Sequence, residues 1–186
     1  MPMTPHIVGL GGSLRAASSS LAALRVALDG AEAAGAHVEL LDVRTLELPL
    51  YDDGAPASPG VSRLVEAVGG ADGMIWSSPL YHGTVSGAFK NALDWLQLLS
   101  RREPPFLSGT PVGLVATSGG VQGLQAINTM EFVVRALRGW TVPLVVPVAQ
   151  AYQCFAADGT PRDEAVVARL TMLGREVAAA SRRFAA

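Results

Sequence analysis

The stretch GLGGSLRAASSS, residues 9–20, places four serines and one arginine where an apolar run gives way to a helical pattern. The hydroxyls of Ser13, Ser18, Ser19 and Ser20 are donors, and the guanidinium of Arg15 can grip an oxyanion through two parallel bonds. A helix starting here points its positive end at the same place. Together these groups suit a dianionic phosphate. The stretch also reads as a glycine turn followed by a capped helix start, since serine is a common cap. Familiar catalytic and nucleotide-binding strings fail to complete. There is no G-x-x-x-x-G-K-[ST] phosphate loop. A dinucleotide fingerprint fits at Gly9 and Gly11 but meets Leu14 at its third position, although Asp42 further on could serve as a ribose-binding acid. A nucleophile elbow fits at Gly11 and Ser13 but meets Arg15, which leaves a hydrolase built on Ser13 or Ser118 without its sharp turn. His6, His37 and His82 are scattered without zinc-ligand spacing, so no metal site is expected.

A second segment, SSPLYHGTVSGAFKNALDW (77–95), fixes the backbone with Pro79, follows with Leu80, Tyr81 and His82, and turns at Gly83. Such a loop can lay peptide groups and a ring along the edge of a flat ligand. It is also what an ordinary strand-to-helix turn with a half-buried tyrosine looks like. The run Ser118, Gly119, Gly120 offers backbone that a ligand can approach closely, or a simple turn. Lys90, the single lysine, has Asp94 four residues on, the spacing of a helix-surface ion pair, and a structural role is the expectation. Trp76, Trp95 and Trp140 read as core or interface, and Cys154 as a small buried hydrophobe.

The elements that must position these residues follow from hydrophobic periodicity. Strands are expected at 6–11, 37–43, 73–79, 111–118 and 141–148, the last with two prolines that suit an edge. Helices are expected through Leu21, Leu24, Leu28 and Ala31, around 60–69, over 84–99, over 123–139 with Gly139 just past the end, and after Thr160. For that last helix, Thr160 is the expected cap, Pro161 the first helical residue and Asp163 the partner in a capping box. Long loops fill 48–60 and 101–110. Strands alternating with helices imply an α/β three-layer sandwich around a five-stranded parallel sheet, flavodoxin-like, in the order 2-1-3-4-5. Its ligand should sit at the carboxyl ends of strands one and three, where the order reverses.

The chain has 186 residues, 49% hydrophobic and 16% charged, with a net charge of −2 and one cysteine. One folded domain, 1–186, is expected, without disulfide and without a basic surface for nucleic acid. No apolar run reaches the roughly 18–20 residues of a membrane span, and the start carries no signal-like pattern. A cytoplasmic protein is the expectation.

GSLRAASSS followed at this distance by SPLYHGTVSGAFKNALDW resembles the NADPH-dependent FMN reductase family, which includes quinone, azo and chromate reductases and the arsenical-resistance flavoproteins. Ser20 stands where many members have asparagine, and Leu80 where many have glutamate. GGVQGLQAIN (119–128) and VAQAYQCF (148–155) lean toward the arsenical-resistance branch. The resemblance implies noncovalent FMN in a flavodoxin-like fold. Ser13, Arg15, Ser18 and Ser20, with Ser19 through its backbone, would hold the FMN phosphate. Pro79, Leu80, Tyr81, His82 and Gly83 would run along the isoalloxazine, and Ser118, Gly119 and Gly120 would flank it. It further implies hydride transfer from NADPH or NADH through flavin N5 to a flat small-molecule acceptor (quinone, azo compound or free flavin), no catalytic side chain, and a homodimer or homotetramer. A non-enzymatic flavin-binding electron carrier or redox sensor is the alternative.

Overall fold

The computed structural model describes residues 4–185. Its strands are β1 (His6–Gly11), β2 (His37–Asp42), β3 (Gly73–Tyr81), β4 (Thr84–Val85), β5 (Pro111–Thr117) and β6 (Trp140–Val148). Its helices are α1 (Ser19–Ala33), α2 (Val43–Leu46), α3 (Pro59–Gly69), α4 (Gly87–Trp95), α5 (Gly123–Ala136), α6 (Ala151–Cys154) and α7 (Glu164–Phe184), with a 3₁₀ turn at Leu96–Arg101 after α4. The main sheet is parallel in the order β2-β1-β3-β5-β6, and β4 folds back on the end of β3. Leaving aside two-residue β4, this is the expected 2-1-3-4-5 arrangement.

Alternation along each strand sorts side chains between two cores. Val8, Leu10, Met74, Trp76, Val112 and Leu114 face α3, α4 and α5. Ile7, Ile75 and Val115 face α1 and α7. Gly9 and Gly11 lie on the α1 face, where a Cβ at Gly9 would come within 2.7 Å of Leu28 and one at Gly11 within 3.0 Å of Leu21. These two glycines let a helix settle onto the strand. The glycine that matters for the loop beyond is Gly12, against Phe89.

The helix motif KNALDW holds the fold around the site. Lys90 pairs with Asp94 at 2.6 Å on the surface, as the spacing implies. Asn91 Nδ2 and Trp95 Nε1 both donate to the Pro49 carbonyl at 2.9 Å, and Asn91 Oδ1 accepts from the Tyr51 amide. The 48–60 loop is thereby tied to α4. Lys90→Met is expected to cost only about 0.3–0.5 kcal/mol in urea unfolding, the worth of an exposed i,i+4 pair. A loss above about 2 kcal/mol would show that the lysine does more.

Several expectations need correction. The helix expected over 84–99 starts at Gly87, because Thr84 and Val85 pair back with Tyr81 and Leu80 and Ser86 caps the helix. Gly139 is not the residue that follows the Leu137 C-cap of α5. Arg138 takes that left-handed position at φ 64°, and the Arg138 and Gly139 amides close onto the Arg135 and Val134 carbonyls. Thr160 does not cap α7. Residues 156–162 form a tight return in which Pro161 bridges Phe155 and the Thr160 amide donates to Asp158. Asp163 is the cap, accepting from the Ala165 and Val166 amides. Trp76 and Trp95 are buried, but Trp140 is 60% exposed at the start of the edge strand, edge-on to Phe184. Cys154 is buried, and burial with the nearby Asp163 carboxylate pushes its thiol pKa up, away from reactivity. No described helix is long and apolar enough to cross a membrane.

Candidate functional site

The sheet order reverses between β1 and β3, which run side by side with Gly11 opposite Ser77. At the carboxyl ends of β1, β3, β5 and β6 the loops surround a cleft of about 280 Å³. A larger groove of about 520 Å³ adjoins it through Ala17 and Ser18, but its charged lining of Arg25, Asp29 and Asp158 is mixed in sign. Among the described residues lining the cleft, the only charged one is Arg15.

The first wall is the loop after β1 and the first turn of α1. Ser13, Arg15, Ser18, Ser19 and Ser20 all line it, with Ala17. Ser18 caps α1, its Oγ accepting the Leu21 amide at 3.2 Å and sharing a bond of 2.9 Å with the Ser20 hydroxyl. Ser13 Oγ accepts the Arg15 amide at 3.2 Å, so its own proton stays available to a ligand. Ser19 and Ser20 open the helix, and their amides have no acceptor within it. Arg15 is exposed and has no carboxylate within ion-pair distance among the described residues. Hydroxyl protons, helix-start amides and one free guanidinium therefore converge without a counter-anion. That donor set has the chemistry that suits an anion such as a phosphoryl group.

The second wall is Pro79, Leu80 and Tyr81 at the end of β3. His82 and Gly83 lie outside the cleft. Tyr81 pairs with Thr84, so His82 (φ 49°) and Gly83 (φ 85°) form the two-residue tip of a hairpin. Both residues are exposed at that tip. The third wall is Thr117, Ser118 and Gly119, while Gly120 lies outside. The Gly120 carbonyl turns inward to accept from Ser118 Oγ at 2.8 Å and from the Gln150 amide at 3.1 Å. A Cβ at Gly119 would meet nothing within 4 Å, so open space lies in front of it.

Sequence reasoning missed the fourth wall, Ala151 and exposed Tyr152. The Ala151 amide donates to the Ser118 carbonyl at 3.0 Å, binding the turn after β6 to the loop after β5. The rule that ligands gather at strand carboxyl ends would have found these residues had it been applied to the last strand as well.

The rival chemistries lose their geometry. Asp42 caps α2, accepting the Arg44 amide at 3.0 Å, with the Arg44 side chain 3.7 Å from its other oxygen. It is engaged at the end of β2 and does not line the cleft. No histidine lines the cleft, so neither Ser13 nor Ser118 has the base a serine nucleophile needs. No cluster among the described residues could hold a metal ion.

Comparison with known proteins gives the family and the fold. Residues 5–153 match the family model described as NADPH-dependent FMN reductase. The chain is 36% identical over 156 residues to the NADPH-dependent FMN reductase ArsH of Rhizobium meliloti, covering 83% of this chain and 63% of that protein. It is 26% identical over 155 residues to an FMN-dependent NADPH-azoreductase of Staphylococcus haemolyticus, covering 70% of this chain and 79% of that one. The chain thus spans less than two thirds of the length of its ArsH relatives. In fold it is similar to the flavoenzyme NAD(P)H:(acceptor) oxidoreductase FerB from Paracoccus denitrificans, with a TM-score of 0.77, 23% identity and coverage of 97% and 98% of the two chains.

Proposed function

The chain belongs to the NADPH-dependent FMN reductase family, and from that premise we propose that it is an NAD(P)H-dependent FMN oxidoreductase acting on a flat small-molecule acceptor. The observation that carries the reading is the convergence of Ser13, Arg15 and Ser18–Ser20 with Pro79–Tyr81 and Ser118–Gly119 around one cleft. Its donors suit the phosphate of FMN. The Ser13 proton, one proton of the Ser18–Ser20 pair, the amides opening α1 and the Arg15 guanidinium bind it. Pro79–Tyr81, Ser118 and Gly119 would hold the ring, with Tyr152 as a further wall of the same cleft. His82, Gly83 and Gly120 contribute through the hairpin and the turn they build beside the cleft.

When bound, FMN supplies two-electron chemistry, accepting hydride from NADPH or NADH and passing it to a quinone, azo compound or free flavin. The chain's own part is to bind, orient and leave one ring face open. Because the cofactor would carry the reaction, no side-chain acid or base is required and no catalytic residue is assigned. We further propose that 1–186 works as one domain, in the cytoplasm where NAD(P)H is found, and as a homodimer or homotetramer. Exposed Leu14, Tyr81, Val121, Leu124 and Tyr152 all sit on segments at the carboxyl end of the sheet, and support a partner copy covering that end.

The test is NADPH oxidation, followed at 340 nm, by FMN-loaded protein offered a quinone, an azo dye and free flavin in turn. Acceptor-dependent turnover is expected with at least one. A loaded protein that oxidises NADPH with none of them is not a reductase of this class.

A further inference from the structure

We propose that two buried serines outside the cleft, Ser86 and Ser77, are positioning residues that hold the 12–20 loop in its binding shape, and so set the preference for a phosphorylated flavin over the same ring without phosphate. This rests on the FMN reading. Gly12 opens the loop, and both of its peptide groups are tied down. Its amide donates to the Ser77 carbonyl at 2.8 Å, and its carbonyl accepts the Ser86 hydroxyl. The same Ser86 Oγ accepts the Phe89 amide at 3.1 Å as the cap of α4, and the Ser86 amide donates to Ser78 Oγ at 3.1 Å. Phe89 in turn lies beneath Gly12, where a Cβ would come within 2.7 Å of it. At the other end of the loop, the Ser77 hydroxyl donates to the Ser20 carbonyl at 2.7 Å.

The loop is therefore clasped at Gly12 and at Ser20 by the β3–α4 segment. Between the clasps, Ser13, Arg15 and Ser18 bond only within the loop and the start of α1. Ser77 and Ser86 are 0% and 3% exposed, so water does not compete for these bonds. Neither lines the cleft. Without the clasps, the ligand itself must order the loop, and the entropy of doing so is charged to phosphate binding alone. A flavin lacking phosphate does not use the loop and does not feel the loss.

The experiment compares dissociation constants of FMN and riboflavin, by flavin fluorescence, for the wild-type chain, Ser86→Ala and Ser77→Ala. Amide hydrogen exchange of residues 12–20 is measured in parallel on the flavin-free proteins. Ser86→Ala should weaken FMN about tenfold, within the range for losing one buried hydrogen bond, and leave riboflavin within about twofold. Ser77→Ala should act in the same direction. Both should exchange the loop amides faster. Ser77→Ala keeps the α4 cap and carries the test should Ser86→Ala not fold. Unchanged FMN affinity in folded variants, or an equal loss for both flavins, overturns the proposal. A wild-type chain that binds no FMN refutes the FMN reading instead, and the exchange of the loop amides then decides whether the clasp exists.

Discussion

Arg15→Ala is expected to weaken FMN binding by about 1.5–3 kcal/mol, the range for a hydrogen bond to a charged group, or about 10- to 150-fold in Kd. The effect is large because, among the described residues, Arg15 is the only charge lining the cleft and no carboxylate neutralises it. The remaining donors, hydroxyls and amides, are neutral, and a dianion held by neutral donors alone keeps much of its cost of leaving water. Arg15 is exposed and bridges no elements, so its removal should leave the unfolding midpoint nearly unchanged. Riboflavin binding should be spared. Fluorescence titration of both flavins, with a urea melt of the variant, checks all three points. Unchanged FMN affinity would remove Arg15 from the phosphate site.

The second large effect concerns stability. Gly174→Ala should destabilise the fold by about 3 kcal/mol or more, the upper end of overpacking costs. For a chain of this size that lowers Tm by roughly 6–12 °C. A Cβ at Gly174 would lie 1.9 Å from the Ala27 carbonyl oxygen and 2.7 Å from the Ala31 amide, both backbone atoms of α1. From the other side, a Cβ at Gly30 would lie 2.4 Å from the Thr171 carbonyl oxygen. The two helix backbones touch, and no side-chain rotation relieves the clash. Alanine's better helix propensity returns only about 1 kcal/mol. A thermal melt of Gly174→Ala that matches wild type would mean that α1 and α7 can part without cost.

The sheet was legible because its strands are short apolar runs separated by helical periodicity, and strands alternating with helices give a parallel sheet covered on both faces. The first wall of the cleft was legible as a hydroxyl-rich strand-to-helix junction, and both of its readings draw on the same residues: Ser18 caps α1 and also lines the cleft beside Ser13 and Arg15. What escaped depends on contacts distant in sequence or on turn type. His82–Gly83 lacks the usual Asn-Gly signature of a two-residue hairpin, so the pairing of Tyr81 with Thr84 could not be read from the segment. Arg138 stands in the left-handed position, with the expected glycine one residue later. Gly139 is needed for a different reason, since a Cβ there would press within 3.1 Å of Val134 and 3.3 Å of the Thr110 carbonyl. Thr160 and Pro161 resemble a helix start, yet Phe155 draws Pro161 into a bridge and leaves the cap to Asp163. Ser77 and Ser86 carried no signal of their own. A serine's carbonyl partner 57 or 74 residues away is a property of the fold.

The glycines show how one residue type hides several roles. Gly9 and Gly11 invited comparison with a dinucleotide fingerprint, but they face α1 and permit its close packing. Gly12 makes the loop's tight approach to Phe89. A string match could not separate these uses, because the face each residue occupies follows from strand register.

The most direct test of the central claim is the visible spectrum of the purified chain with added FMN, recorded anaerobically before and after NADPH. Shifted flavin bands that bleach on NADPH addition are the predicted result, and they would leave only the acceptor to be identified. The spectrum of free flavin, unbleached by NADPH, would contradict the account and mean that the cleft between Arg15 and Tyr81 holds a different ligand.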